Sequence, residues 1–75
     1  MKEYSLKVTY DNEADAAYIY LTPDEPQAGT ATKQIEIQTD LDAEIILDVT
    51  DANTLQGIEI LGASNCLPEE LLKAL

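Results

Sequence analysis

The chain has 75 residues, of which 15 are acidic and 4 are basic, so its formal net charge at pH 7 is −11. A surface this acidic repels phosphate, so we expect it to bind neither nucleic acid nor anionic membranes. The sequence contains no histidine, and all of its basic residues are lysines. The commonest general base and the bidentate phosphate clamp are therefore both missing, and we do not expect an enzyme.

The length predicts one small domain over residues 1–75. Such a chain buries roughly 60% of the surface that its unfolded form exposes, which barely offsets the entropy lost on folding. No disulfide pair or zinc-ligand set adds stability, so we expect self-association, most simply as a homodimer. One cysteine, an N-terminus without an apolar signal core and no membrane-spanning run indicate a cytoplasmic protein.

The first third of the chain predicts two strands joined by an acidic turn. Apolar and polar residues alternate over 3–10 and again over 17–21, which is the period of a half-buried strand. Residues 12–16 combine capping residues with alanines and predict one capped turn. In this turn the carboxylates of Glu13 and Asp15 would lie near free backbone N–H groups, where negative charge is favourable.

Three more strands and one helix are predicted after a loop that contains two prolines, over 22–29. Residues 30–38 alternate with few apolar positions and predict a peripheral strand, while 44–49 is apolar on both faces, as in a covered central strand. A fifth strand spans 55–61. Pro68 then begins a helix with leucines at helical spacing. The predicted fold class is α+β: a five-stranded antiparallel β-meander with one C-terminal helix packed on a face of the sheet.

Two positions predict special backbone geometry in the last hairpin. Asn53 is the best candidate for a left-handed conformation in the turn over 51–54. Gly57 lies inside the fifth strand and marks a bulge or a close approach of another group.

The predicted helix is too short to cover five strands, so some large side chains should remain exposed and form an interface. The candidate interface residues are Tyr18, Tyr20, Ile46 and Ile58. The alternative is that a strongly twisted sheet buries these side chains by coiling on itself.

The acidic turn is a candidate cation site. Asp11, Glu13 and Asp15 occupy the first, third and fifth positions of a calcium-loop pattern. The sixth position requires glycine and holds Ala16, and the twelfth requires a bidentate glutamate and holds Thr22. The pattern fails at both, so a capped, solvated turn is the simpler interpretation.

Asp48 is the other candidate cation ligand, because it lies between Leu47 and Val49 in an apolar strand. A buried carboxylate needs hydrogen-bond partners or a raised pKa. It is a candidate to bind a cation or to transfer a proton, but the favoured interpretation is that it accepts hydrogen bonds from a neighbouring turn or lies on a sheet edge. No second carboxylate can be placed beside it, so a carboxylate-based hydrolase has no support.

Three segments of the sequence resemble one known family. They are Tyr10-Asp11-x-Glu13-Ala14-Asp15-Ala16-x-Tyr18-Ile19-x-Leu21, Ile46-Leu47-Asp48 and Leu55-x-Gly57-Ile58-Glu59-Ile60-Leu61-x-Ala63-Ser64. Together, over residues 6–64, they resemble the domain of unknown function 2283. Asn53 stands where the family usually has glycine, and the proline-containing loop after Leu21 is longer. The resemblance implies a small β-rich domain and implies no activity, although some relatives resemble the small partner of compact toxin-like proteins.

Three functions from different classes follow. The first is a non-enzymatic protein-interaction module, antitoxin-like in its most specific form, whose acidic face binds a basic protein partner. The second is a carboxylate domain that binds a divalent cation, and the third is a self-associating domain without a ligand. No cofactor is expected in any of them.

Overall fold

The computed structural model describes residues 1–22 and 33–75. The predicted loop over 22–29, apart from Thr22, and the first three residues of the predicted strand over 30–38 lie outside these ranges. The predicted fold class is confirmed: a five-stranded antiparallel sheet is followed by a single short helix. The elements are β1 (Val8–Asp11), β2 (Ala16–Tyr20), β3 (Lys33–Ile37), β4 (Glu44–Val49), β5 (Leu55–Leu61), a 3₁₀ turn (Ala63–Asn65) and α1 (Glu69–Ala74).

The strand order differs from the expected meander at one connection. The order in the sheet is β1-β2-β5-β4-β3, so β2 pairs with β5, and β3 lies at the edge of the sheet opposite β1. In this arrangement Ala17 and Ile19 lie opposite Ile60 and Ile58. All five residues of β3 are exposed, in keeping with the predicted peripheral strand. The central position of the sheet is taken by β5, which is more apolar than β3 and is paired on both edges, with β2 and β4.

The register assigns the side chains of the sheet to two faces, because directly opposed residues share a face. The core face carries Ala17, Ile60 and Ile45, which are opposed across β2, β5 and β4. The other face carries five side chains that recur below, and we call it the tyrosine face: Tyr18, Tyr20, Ile46, Asp48 and Glu59.

The core is small and lies under the segment that follows β5. Ala17, Ile60 and Ala63 form its buried cluster, with Leu67 packed against it. None of the residues of α1 is buried, so the packing expected of the helix is made by residues just before it. No large side chain among the described residues is completely buried. None of the helices in the described ranges is long and apolar enough to cross a membrane.

Both predictions of special backbone geometry in the last hairpin are confirmed. Asn53 has a φ of 60°, in the left-handed region. The ring of Tyr18 lies directly against Gly57, and a register irregularity occurs beside it between Asp48 and Val49. The absent side chain at Gly57 therefore makes room for a tyrosine ring.

Candidate functional site

The predicted acidic turn joins β1 to β2 over residues 12–15. Its cap is Asp11, whose Oδ1 accepts hydrogen bonds from the backbone N–H of Glu13 at 3.0 Å and of Ala14 at 3.4 Å. An aspartate that accepts from the backbone two residues ahead is a common way to stabilise a turn. The carboxylate of Asp11 is thus partly used in holding the turn.

Asp15 joins this turn to the chain that follows β5. Its Oδ1 accepts from the hydroxyl of Tyr10 at 2.7 Å and from the backbone N–H of Ser64 at 2.9 Å, and its Oδ2 accepts from Ser64 Oγ at 2.6 Å. Its backbone carbonyl accepts from the N–H groups of Gly62 and Ala63, both at 2.9 Å. Asp15 therefore ties together segments that are 49 residues apart.

These hydrogen bonds lower the pKa of Asp15 and raise the pKa of Tyr10. The hydroxyl of Ser64, followed by that of Tyr10, lowers the pKa of Asp15, because both donors favour its charged form. The bond to Asp15 in turn raises the pKa of Tyr10, since the carboxylate favours the protonated phenol. The Tyr10 contribution to stability is therefore complete below the ordinary tyrosine pKa and is lost as the pH rises through the raised one.

Asp15→Asn is expected to destabilise the protein near neutral pH and to be almost neutral in acid. Asn tolerates the left-handed φ of 50° at this position, so the change mainly removes the charge. The Asp15 contribution is complete above the ordinary aspartate pKa and is lost as the pH falls through the lowered one. Urea unfolding at a series of pH values should show the two proteins converging in acid.

Asp40→Asn provides a matched control for this titration, because it removes one carboxylate from an exposed position. In acid, the free energy of unfolding of this variant should change with pH as it does in the wild type. If both variants changed the acid dependence equally, net charge would explain the effect and the hydrogen bonds of Asp15 would not.

Asp48 lies at the centre of a second polar cluster, on the tyrosine face. It is 8% exposed, its Oδ2 accepts from the hydroxyl of Tyr18 at 2.6 Å, and its Oδ1 accepts from Gln34 Nε2 at 3.1 Å. Burial, and then the bond to Asp48, raises the pKa of Tyr18, so this phenol stays protonated. Asp48 is thus a hydrogen-bonded carboxylate, but its donors lie in strands β2 and β3 and not in a neighbouring turn, and β4 is not an edge strand.

The structure does not bring the four candidate cation ligands together. Asp11, Glu13 and Asp15 share the β1–β2 turn, whereas Asp48 lies in β4 beside Tyr18. Within residues 1–22 and 33–75, no group of three or more cysteine or carboxylate side chains could hold a metal ion.

The candidate interface residues divide between the two faces. Tyr18, Tyr20 and Ile46 lie on the tyrosine face, whereas Ile58 packs against the core cluster on the opposite face. The rings of Tyr18 and Tyr20 are tilted by 58°, with centroids 4.7 Å apart. The ammonium of Lys7 lies 5.2 Å from the centroid of Tyr20, so the chain itself places one cation on this face.

An open groove of about 370 Å³ runs beside Tyr18 over strands β1, β2 and β5. On the tyrosine face its lining includes Thr9, Asp11, Ala16, Tyr18 and Glu59. Among the described residues, its lining includes two acidic residues and no basic one. A tyrosine, alanines and two acidic residues in one groove complement the alkyl stem and cationic head of an arginine or lysine.

Several of these residues were not singled out from the sequence. The hydroxyl of Tyr10, the side chain of Ser64 and the position of Glu59 beside Tyr18 depend on contacts between distant segments. The alternation of β1 placed Tyr10 on the apolar side of the strand, which hid its polar role. A serine in a Gly-Ala-Ser-Asn stretch carries no local signal that it meets an aspartate 49 residues earlier.

A family model described as protein of unknown function (DUF2283) matches residues 7–64 of the chain. The matched range contains the β1–β2 turn, all five strands and Ser64, and it confirms the family suggested by the sequence motifs. No curated protein and no solved structure matches the chain.

Proposed function

The chain belongs to the DUF2283 family, and we propose that it is a non-enzymatic protein-interaction module whose tyrosine face binds a basic segment of another protein. The observation that carries the proposal is the groove beside Tyr18, whose lining combines this aromatic residue with the acidic residues Asp11 and Glu59. In this proposal an arginine or lysine side chain of the partner enters the groove.

The charge of the chain supports a basic partner. A net charge of −11 on 75 residues attracts cationic surfaces over a distance and speeds their association. The contact between Lys7 and the ring of Tyr20 supports the same chemistry at short range, because it is a cation–π pair on the proposed surface. An arginine would gain both a ring contact and a charge-assisted hydrogen bond there.

The arrangement of the carboxylates supports a binding role over a catalytic one. Asp15 accepts three hydrogen bonds with its side chain, and Asp48 accepts two. The sequence has no histidine to move a proton at neutral pH. An antitoxin-like role is the more specific form of the proposal, in which the basic partner is a compact toxin-like protein.

Glu59→Gln is expected to weaken binding of an arginine-rich peptide by roughly threefold to tenfold, because it removes one carboxylate from the groove. Fluorescence anisotropy with a labelled peptide measures this directly. A peptide of equal length with glutamine in place of arginine should not bind. Raising the salt concentration should weaken binding of the arginine peptide, since part of the attraction is screened.

Glu70→Gln is the matched control, because it removes the same charge from an exposed position in α1, outside the groove. It should change the affinity much less than Glu59→Gln does. Equal losses in the two variants would show that the peptide responds to net charge alone and would remove the groove from the proposal. Equal binding of the arginine and glutamine peptides would remove the proposal as a whole.

A further inference from the structure

The outer edge of β3 differs from every other part of the sheet. All five of its residues are exposed, including Ile35 at 47% and Ile37 at 39%. Among the described residues, β3 pairs with β4 alone, so its other edge presents unpaired backbone N–H and C=O groups. An exposed edge that carries large apolar side chains favours pairing with another strand.

The charges on β3 select the kind of strand that can pair there. Lys33 and Glu36 make this strand formally neutral in a chain of net charge −11. At the opposite edge of the sheet, β1 ends in Asp11 and leads into the acidic turn. Two copies of the chain repel one another over most of their surface, and the β3 edge is where that repulsion is locally relieved.

We propose that β3 pairs antiparallel with β3 of a second copy, with Ile35 opposite Ile35 on a two-fold axis, and forms a continuous ten-stranded sheet. In this register Ile37 lies opposite Lys33 of the second copy, and Glu36 lies opposite Gln34. The two Ile35 side chains meet on the core face, an amide meets a carboxylate on the other face, and no like charges are opposed. The pairing is self-complementary, as a two-fold interface requires.

Neighbouring registers are less favourable for physical reasons. A shift by one residue would place apolar and polar residues of β3 on the same face of the sheet. A register centred on Glu36 would place two carboxylates opposite one another, and one centred on Gln34 would separate the two Ile35 side chains. The register centred on Ile35 alone combines an apolar centre with complementary flanks.

The dimer goes beyond the proposed binding of a basic segment, because it uses a different edge and responds oppositely to salt. Salt screens the repulsion between two acidic chains, so it should strengthen the dimer. The same salt should weaken binding of a basic peptide at the groove. The two proposals can therefore fail independently, and the opposite salt dependences show which of them has failed.

The test is sedimentation equilibrium of the full chain over a range of concentrations. The wild type should dimerise, and Ile35→Glu should raise the dissociation constant by roughly tenfold or more, because two carboxylates then face each other on the axis. Ile37→Glu, on the same face and similarly exposed, should be tolerated, because it faces Lys33 of the second copy. Circular dichroism should show that both variants remain folded.

Mixing Ile35→Glu with Ile35→Lys should restore association, because the two-fold axis then pairs a carboxylate with an ammonium. This rescue requires that residue 35 of one copy lies opposite residue 35 of the other. A wild type that stays monomeric at every concentration would overturn the proposal. So would equal weakening by Ile35→Glu and Ile37→Glu, or a mixture of the two Ile35 variants that remains monomeric.

Discussion

Gly57→Ala is expected to lower the free energy of unfolding by about 2–3 kcal/mol. A Cβ at this position would lie 2.5 Å from Cε1 and Cζ of Tyr18 and closer still to its hydroxyl oxygen. The ring would have to move, and its hydrogen bond to the buried carboxylate of Asp48 would stretch or break. Urea unfolding should show a lower midpoint with an unchanged slope.

A double-mutant cycle identifies the cause of that loss. In a Tyr18→Leu background the added methyl group has no ring to displace, so Gly57→Ala should cost much less there. An equal cost in both backgrounds would mean that the backbone of β5 requires glycine for another reason. The close approach of Tyr18 would then not explain why this residue is glycine.

Tyr18→Phe is expected to lower the free energy of unfolding by about 2 kcal/mol, because it leaves a buried carboxylate without its shorter hydrogen bond. Gln34 would remain as a donor to Asp48, but at 3.1 Å and from an exposed side chain. The ring and its contact with Gly57 are unchanged in this variant. The measured loss therefore reports the hydroxyl group, and chemical unfolding near neutral pH is the appropriate experiment.

Tyr20→Phe is the matched control, since it removes a hydroxyl from the neighbouring ring on the same face. Within residues 1–22 and 33–75 the hydroxyl of Tyr20 makes no hydrogen bond, so this variant should be close to neutral. Asp48→Asn should also be milder than Tyr18→Phe, because an amide oxygen can still accept from the tyrosine. If Tyr20→Phe cost as much as Tyr18→Phe, the bond to Asp48 would not be the source of the stability.

The pairing of Tyr18 with Asp48 also links the fold to the proposed groove. Tyr18 forms one wall of the groove and is held in place by a hydrogen bond on one side and by Gly57 beneath it. A rigid aromatic wall costs little conformational entropy when a ligand binds. The polar cluster around Asp48 therefore has a role in shaping the tyrosine face as well as in stabilising the sheet.

The local features of the sequence predicted the elements of this fold well. Alternation located the strands, although β1 begins at Val8 and not at residue 3 as predicted. Asn53 marked the left-handed turn, and the weakly apolar residues of β3 predicted its peripheral place. Each of these features depends on residues that are close in sequence, because strand alternation and turn-forming residues determine the local backbone conformation. The capped acidic turn was also predicted, with Asp11 now identified as the capping residue.

The partners of the individual carboxylates could not be predicted in the same way. Asp15 looked like part of a calcium-loop pattern, yet it accepts a hydrogen bond from Ser64, which lies 49 residues later in the segment after β5. Asp48 looked isolated in its strand, yet Tyr18 donates to it across the intervening strand β5. Both contacts require the strand order, and the pattern of a single segment contains no information on which distant segment lies beside it.

By itself, the sequence determined the fold class, the family and the acidic character of this protein, because composition, period and turn residues act locally. The tertiary structure alone decided that β2 lies beside β5 and that Ile58 faces the core while Ile46 faces the other way. It also decided that Asp15 accepts hydrogen bonds from Ser64, whereas Glu59 lines a groove beside Tyr18. Those outcomes depend on which strands bury the most apolar surface together, and this competition is settled only when the whole chain folds.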